Sequence, residues 1–451
     1  MRRLLATVAT SVVGVALVAT PSAAETNYDP PLVVVNSTTL LDTGYADLAL
    51  STGTGQIFLS GGRGSTVVNV ADLDGRIVGS VGGQSGANGL VLSQDGSTVY
   101  AALTDAGTIS AIDVATRTET ARWTIGENSC PYDLALAAGR LWFSYGCYGY
   151  GTGGRIGSLD PADPGAPVTF DQGGRWTYSP RLESGSINDH LLFAMEEGVF
   201  PNVLASFDLS GGQPVRRIAL EHLTDVGQFT VDLDGASIIV VTPGEYQFSS
   251  KVARYSTADL SEIGRYAAPG RVVSIAFAPD GRVATHGDDG GLAMFAKGEY
   301  EPRWVAFKDF SQGLDPAHRG LAIGPDGRLF VIEKYISNSI MNLTAVDVTP
   351  VATSFTVDNP VMPVLVRKPY TITGTLATFD GSTTGARTVH VTRSDPRGSV
   401  TLADVQTAVD GSFSITDKPR TVGETSWVLS FDGTDRLLPA AYTITLPVTR
   451  S

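Results

Sequence analysis

One short motif recurs along most of this chain: an apolar strand, a polar turn containing glycine, and a second apolar strand. Its clearest copies are GLVLSQDGSTVYAAL from Gly89, IAFAPDGRVATHG from Ile275 and LAIGPDGRLFVIE from Leu321. Looser copies begin at Leu48, Leu134 and Phe229, and a strand-turn-strand signal from Ser184 fills the gap between the third and fifth, giving seven units. A unit this small cannot bury both faces alone, so tandem copies must stack on one another. The Asp-Gly turns at Asp234, Asp280 and Asp326 are 46 residues apart, close to the period of a four-stranded propeller blade.

Further strands complete the units. A third follows the motif at 108–113, 203–208 and 343–348, and a fourth follows most of them, as at 118–123. The last unit lacks a fourth strand before the chain changes character at Thr349, whereas the apolar segment Leu32 to Leu41 precedes the first unit and has no partner of its own. Pairing the two closes a ring and removes the sheet edges that would otherwise invite aggregation. The expectation is an all-β chain whose residues 30–348 form a seven-bladed β-propeller, with an open solenoid or a six- or eight-bladed ring as the alternatives.

These turn motifs resemble the YVTN-type and related seven-bladed propellers of bacterial surface and secreted proteins. The resemblance covers residues 30–348 and implies fold rather than function, because the matching residues hold blades together. Beyond Pro350 the period is lost, and alternating strands such as Tyr370–Leu376 and Thr388–Thr392 suit a small sandwich over 351–451. The runs ITGTLATFDGSTTGARTVHVTRSDPRG, TAVDGSFSITDKP and SWVLSFDGTDRLLPA resemble the immunoglobulin-like repeats of exported actinobacterial proteins. That implies a spacer or adhesion unit, here without the cysteine pair of antibody domains.

Arg2 and Arg3, the apolar run Leu4 to Val18 and the small residues Ala19 to Ala24 have the layout of a secretory signal over 1–24. The run is too short to span a bilayer, so the mature chain is expected outside the cell, without a membrane span. Loss of the two arginines takes the net charge from −14 to about −16. A surface this acidic repels phosphate backbones, which argues against nucleic acid and anionic lipid as partners. The two cysteines, Cys130 and Cys147, flank an apolar hairpin. A two-residue turn at Ala138 and Gly139 sets them opposite one another, as a disulfide stapling the open end.

No catalytic signature is visible. The histidines (His190, His222, His286, His318 and His390) have no metal-ligand spacing, and there is no nucleophile elbow or phosphate-binding loop. His286 to Asp289 and His318-Arg319 are the local clusters that two neighbouring loops could bring together. Asp95, Asp280, Asp326, Asp410 and Asp432, each before glycine, read as turn residues rather than calcium ligands. The more informative feature is a set of aromatics assigned to loops: Tyr148 and Tyr150 in a glycine-rich stretch of blade 3, Trp176 and Tyr178 at the start of blade 4, then Phe200, Tyr246 and Phe248. Rings without a core to enter become binding surface, suited to sugars or an extended peptide, while rings packed between blades are the alternative. The sequence thus points to a secreted, non-catalytic recognition module with no cofactor, binding extracellular carbohydrate or another secreted protein. A metal-assisted lactonase or lyase is the enzymatic alternative, and a structural subunit docking a secreted partner is the other.

Overall fold

A computed structural model describes residues 33–40, 44–147, 153–185, 190–196, 201–223, 227–232, 234–243, 250–288, 290–307, 314–335, 341–348, 350–358, 362–378, 383–434 and 436–450. Every element among them is a β-strand. The signal-like segment lies outside the described residues, and no helix among those described is long and apolar enough to cross a membrane.

Seven four-stranded antiparallel sheets form the blades. Blade 1 runs from Asp47 to Gly82, blade 2 from Ala87 to Thr124, blade 3 from Pro131 to Trp176 and blade 4 from Arg181 to Leu223. Blade 5 runs from Gln228 to Tyr266 and blade 6 from Val272 to Phe307. Blade 7 takes three strands from Leu314 to Asp347 and its fourth from Val33–Leu40, which lies antiparallel to Met341–Asp347 in the register Thr38↔Leu343 and Leu40↔Met341. The spare N-terminal strand therefore closes the ring.

The propeller core is a set of wedges between neighbouring blades. Phe58 and Val70 of blade 1 meet Val99 and Ile112 of blade 2, and Leu182 and Phe207 of blade 4 meet Trp142 and Ile156 of blade 3. The same alternation continues round to Ile57 and Leu59 of blade 1 against Phe330 and Ile332 of blade 7. Strand residues pointing to opposite faces serve two different wedges, which is why these strands are apolar on both sides.

Turn chemistry agrees with the sequence. Asp234, Asp280 and Asp326 each accept the backbone N–H two residues on, at 2.9, 3.1 and 3.1 Å, ahead of glycines with positive φ. Blade 4 differs from expectation: its inner strand is only Arg181–Glu183, upstream of the segment that signalled the unit at Ser184. Arg175 and Trp176, assigned from sequence to the start of blade 4, instead end the outermost strand of blade 3.

The remaining strands make a three-stranded and a six-stranded sheet around one apolar core that includes Phe355, Ile372, Val391, Trp427 and Leu429. The Trp427 indole N–H donates to Asp417 at 3.0 Å, and the same carboxylate pairs with buried Arg393. This sandwich meets blade 6 where the fully buried Arg436 guanidinium lies 5.5 Å from the Trp304 ring centroid.

Candidate functional site

Polar residues stand at the heads of the inner strands, and each reaches to the next blade. Asp47 accepts the Leu90 N–H at 2.9 Å, Asn88 donates to the Tyr132 carbonyl at 2.8 Å, and Asp133 accepts the Leu182 N–H at 2.9 Å. Gln228 brackets Ile275, accepting its N–H at 3.1 Å and donating to its carbonyl at 3.2 Å, and Ser274 accepts the Gly320 N–H at 3.1 Å. The pairing register slips at the heads of blades 2, 3, 6 and 7. Such bulges turn a side chain off its own ladder and free it to serve a neighbour. The approach is close enough at one point to require glycine: a Cβ on Gly89 would collide with Asp133.

Arg319 completes this ring from blade 7. Its φ of 56° lies in the left-handed region, and its guanidinium reaches Asp47 at 3.1 Å, Asp133 at 3.0 Å, Glu183 at 2.6 Å and the Leu182 carbonyl at 3.2 Å. One side chain thus ties blade 7 to blades 1, 3 and 4. Tyr45 donates to the Arg319 carbonyl at 2.7 Å and fixes the turn from the other side. Burial raises the Asp47 carboxyl above its ordinary range against the opposing pull of Arg319, and raises Tyr45 well above that of a free phenol. Burial also pushes Glu183 up to about 7, with Arg319 working against the shift and Asp133 and Asp47 adding to it. Below this cluster the inner strands enclose a channel of about 460 Å³, lined by residues such as Leu48, Leu92, Thr230 and Phe277.

Acidic side chains therefore do converge on the channel, as a metal-assisted enzyme would require, and the cation they hold is a guanidinium. Among the described residues no group of three or more His, Cys, Asp or Glu side chains is placed to hold a metal ion. His286 sits buried on the second strand of blade 6, Asp289 and the His318 side chain lie outside the described residues, and Arg319 meets the carboxylates of other blades.

A second cavity, about 210 Å³, lies where loops of blades 1 to 4 gather, lined by Arg63, Tyr132, Thr177, Tyr178 and the disulfide. The hairpin behind it has the expected turn, with Ala138 and Gly139 at φ 51° and 68° and Ala135 opposite Trp142. Cys130 and Cys147 are bonded with their Cα atoms 5.0 Å apart, beyond a one-residue bulge that separates Pro131 from Leu134 in the ladder. The Arg63 guanidinium lies 3.5 Å from the Cys130 sulfur, and the Arg181 guanidinium stacks 4.8 Å from the Tyr132 ring centroid. Glu196 accepts the backbone N–H of Thr177 and, at 3.1 Å, that of Tyr178, which shapes the wall carrying the Tyr178 ring.

Of the aromatics singled out in the sequence, Tyr178 lines this cavity. Trp176 does not: its half-buried ring lies 6.3 Å from that of Phe207, in the wedge between blades 3 and 4. Tyr148, Tyr150, Phe200, Tyr246 and Phe248 lie outside the described residues. Tyr148 and Tyr150 belong to the five residues that join Cys147 to Gly153, both of which line the cavity. Sequence reading missed Arg63, Asn88, Tyr132 and the whole Arg319 cluster.

No protein-family model matches the chain, and no curated protein matches it. A solved structure of Kuenenia stuttgartiensis hydrazine synthase is similar at 15% identity, covering 69% of this chain and 98% of that one with a TM-score of 0.48.

Proposed function

We propose that this chain is an exported, non-catalytic recognition module that binds extracellular carbohydrate at the disulfide-walled cavity where loops of blades 1 to 4 gather. The observation that carries the reading is the contrast between the two polar sites. In the channel, three carboxylates and one guanidinium satisfy one another, so those charges hold blades together. At the disulfide, rings and a hydroxyl surround open space: Tyr178 and Tyr132 supply flat faces and Thr177 a hydroxyl group, while the Ser179 hydroxyl donates to the Gly146 carbonyl at 3.0 Å. The signal-like N-terminus and the disulfide support export to an oxidising compartment. In this reading the C-terminal sandwich is an immunoglobulin-like spacer seated on blade 6.

The exposed apolar side chains give no comparable support to a docking subunit, since Ile77 and Val78 stand on the outer strand of blade 1, Val215 and Ile218 on that of blade 4, and Ile263 on that of blade 5. The test is a glycan and cell-wall polysaccharide binding screen of the mature chain beside Tyr178→Ala and Trp176→Ala. Binding lost in Tyr178→Ala and kept in a folded Trp176→Ala supports the proposal. A folded chain that binds no saccharide, or binds equally after Tyr178→Ala, refutes it.

A further inference from the structure

The charge of the cavity is opposite to that of the molecule. The chain as a whole carries a formal net charge of −14, yet among the described residues the lining of this cavity includes Arg63 and no aspartate or glutamate. Among the described residues Arg63 makes no ion pair, its guanidinium being held against the weakly accepting Cys130 sulfur. The nearby carboxylates have other work. Asp105 accepts the Gly64 N–H at 2.8 Å, and Glu196 accepts the amides of Thr177 and Tyr178. A second guanidinium, that of Arg181, lies on the Tyr132 ring that lines the cavity.

Building on the carbohydrate reading above, we infer that the site selects a carboxylated saccharide, a uronic acid ring whose carboxylate meets Arg63 while its ring face lies along Tyr178. A guanidinium matches a carboxylate with two parallel hydrogen bonds, and a concave site focuses its field better than an exposed surface does. Arg63 is an exposed residue, so it stands where the cavity meets solvent, and a neutral sugar would forgo its charge-assisted contact. The acidic exterior repels polyanions at long range, so the preference is set by contact within the cavity, and a short acidic oligosaccharide is favoured over a long polyanion.

The experiment titrates the full mature chain with a short oligogalacturonide, with its methyl ester, which has the same ring and no charge, and with neutral glycans. The acid is expected to bind about tenfold or more tighter than the ester, since a charge-assisted contact of this kind is worth that factor or more. Arg63→Gln, checked as folded by its melting curve, should bring the acid down to the affinity of the ester, and Arg63→Lys should restore part of the difference. Equal affinity for acid and ester overturns this inference and leaves the carbohydrate reading standing. An acid preference that survives Arg63→Gln overturns the placement of the carboxylate. Failure of the folded chain to bind any saccharide overturns both.

Discussion

Arg319 and Glu183 show how one residue can hold elements that lie far apart in sequence. Removing a buried partner leaves the remaining charges uncompensated, which typically costs about 3–5 kcal/mol. Arg319→Met should therefore destabilise the propeller by about that amount in chemical denaturation. Adding Asp133→Asn should recover part of the loss, because it removes one of the stranded charges; an additive double variant would show that the pair is not coupled. Glu183 makes a separate prediction. Burial raises its carboxyl from 4.5 to about 7, so the folded chain keeps a proton that the unfolded chain releases across that interval. The stabilisation this gives is complete below pH 4.5 and is lost as pH rises through about 7. Between pH 5 and 8 the wild type should lose on the order of 1–2 kcal/mol that Glu183→Gln does not lose. Parallel profiles for the two proteins would count against the assignment. None of this cluster was legible in the sequence, where Arg319 was only a neighbour of His318. Its carboxylate partners lie 272, 186 and 136 residues away, and its aim depends on a left-handed backbone at a residue type that rarely adopts one. The heads of the inner strands left a fainter trace: Asp47, Asp133, Gln228 and Ser274 each stand immediately before the first apolar residue of a repeat copy. That recurrence is visible only once the repeats are aligned by their strands.

At the scale of the element, the blade 3 hairpin shows which features follow from local chemistry. Ala138-Gly139 sets a two-residue turn and the turn sets the register as far as Leu134↔Phe143, but beyond the bulge Pro131 pairs with Tyr145, so the Cys130–Cys147 bond forms one step off the ladder's local register there. The bulge between Pro131 and Leu134 left no sequence signal, because it answers to Asp133 reaching across to blade 4. Closing a loop of this length restricts the unfolded chain by about 3 kcal/mol. The hairpin is already anchored by Trp142, whose indole N–H donates to the Ala137 carbonyl at 2.9 Å, so the staple matters most at its open end. Cys130→Ser with Cys147→Ser should lower stability by about 2–3 kcal/mol, and hydrogen exchange should speed up first at 127–130 and 146–147 rather than at the turn. Uniform loss of protection along the hairpin would place the effect elsewhere. Saccharide affinity should fall with it, since both sulfurs wall the cavity. Trp176 ends the outer strand of blade 3 rather than standing in a loop: the ladder slips around Gly173 and Gly174, both at positive φ, and the half-buried indole lies beside Phe207 while also lining a surface cavity of about 650 Å³.

For the whole molecule, repeat count and ring closure were legible because each blade repeats the same compromise of apolar strands and glycine turns. Blade 4 was the hardest to place because its inner strand is three residues long and offers no alternation to detect. The closure itself is a matter of stability as well as topology. Without Val33–Leu40, the strand Met341–Asp347 would present an unpaired edge, and the wedge between blades 7 and 1 would lose Leu40 from beside Phe330 and Leu343. Leu40→Ala should cost about 2–4 kcal/mol if that wedge is as well filled as its burial indicates. Removing the strand altogether should do something different in kind, because an open ring exposes an edge that a second molecule can extend. A chain beginning after Leu40 should therefore show concentration-dependent association by light scattering and a broadened unfolding transition. A synthetic peptide of residues 33–40 should reverse both by restoring the missing pairing. Association that the peptide does not reverse would mean that the N-terminal strand stabilises the chain in some way other than closing blade 7. A truncated chain that stays monomeric and cooperative would mean that the wedges alone close the ring.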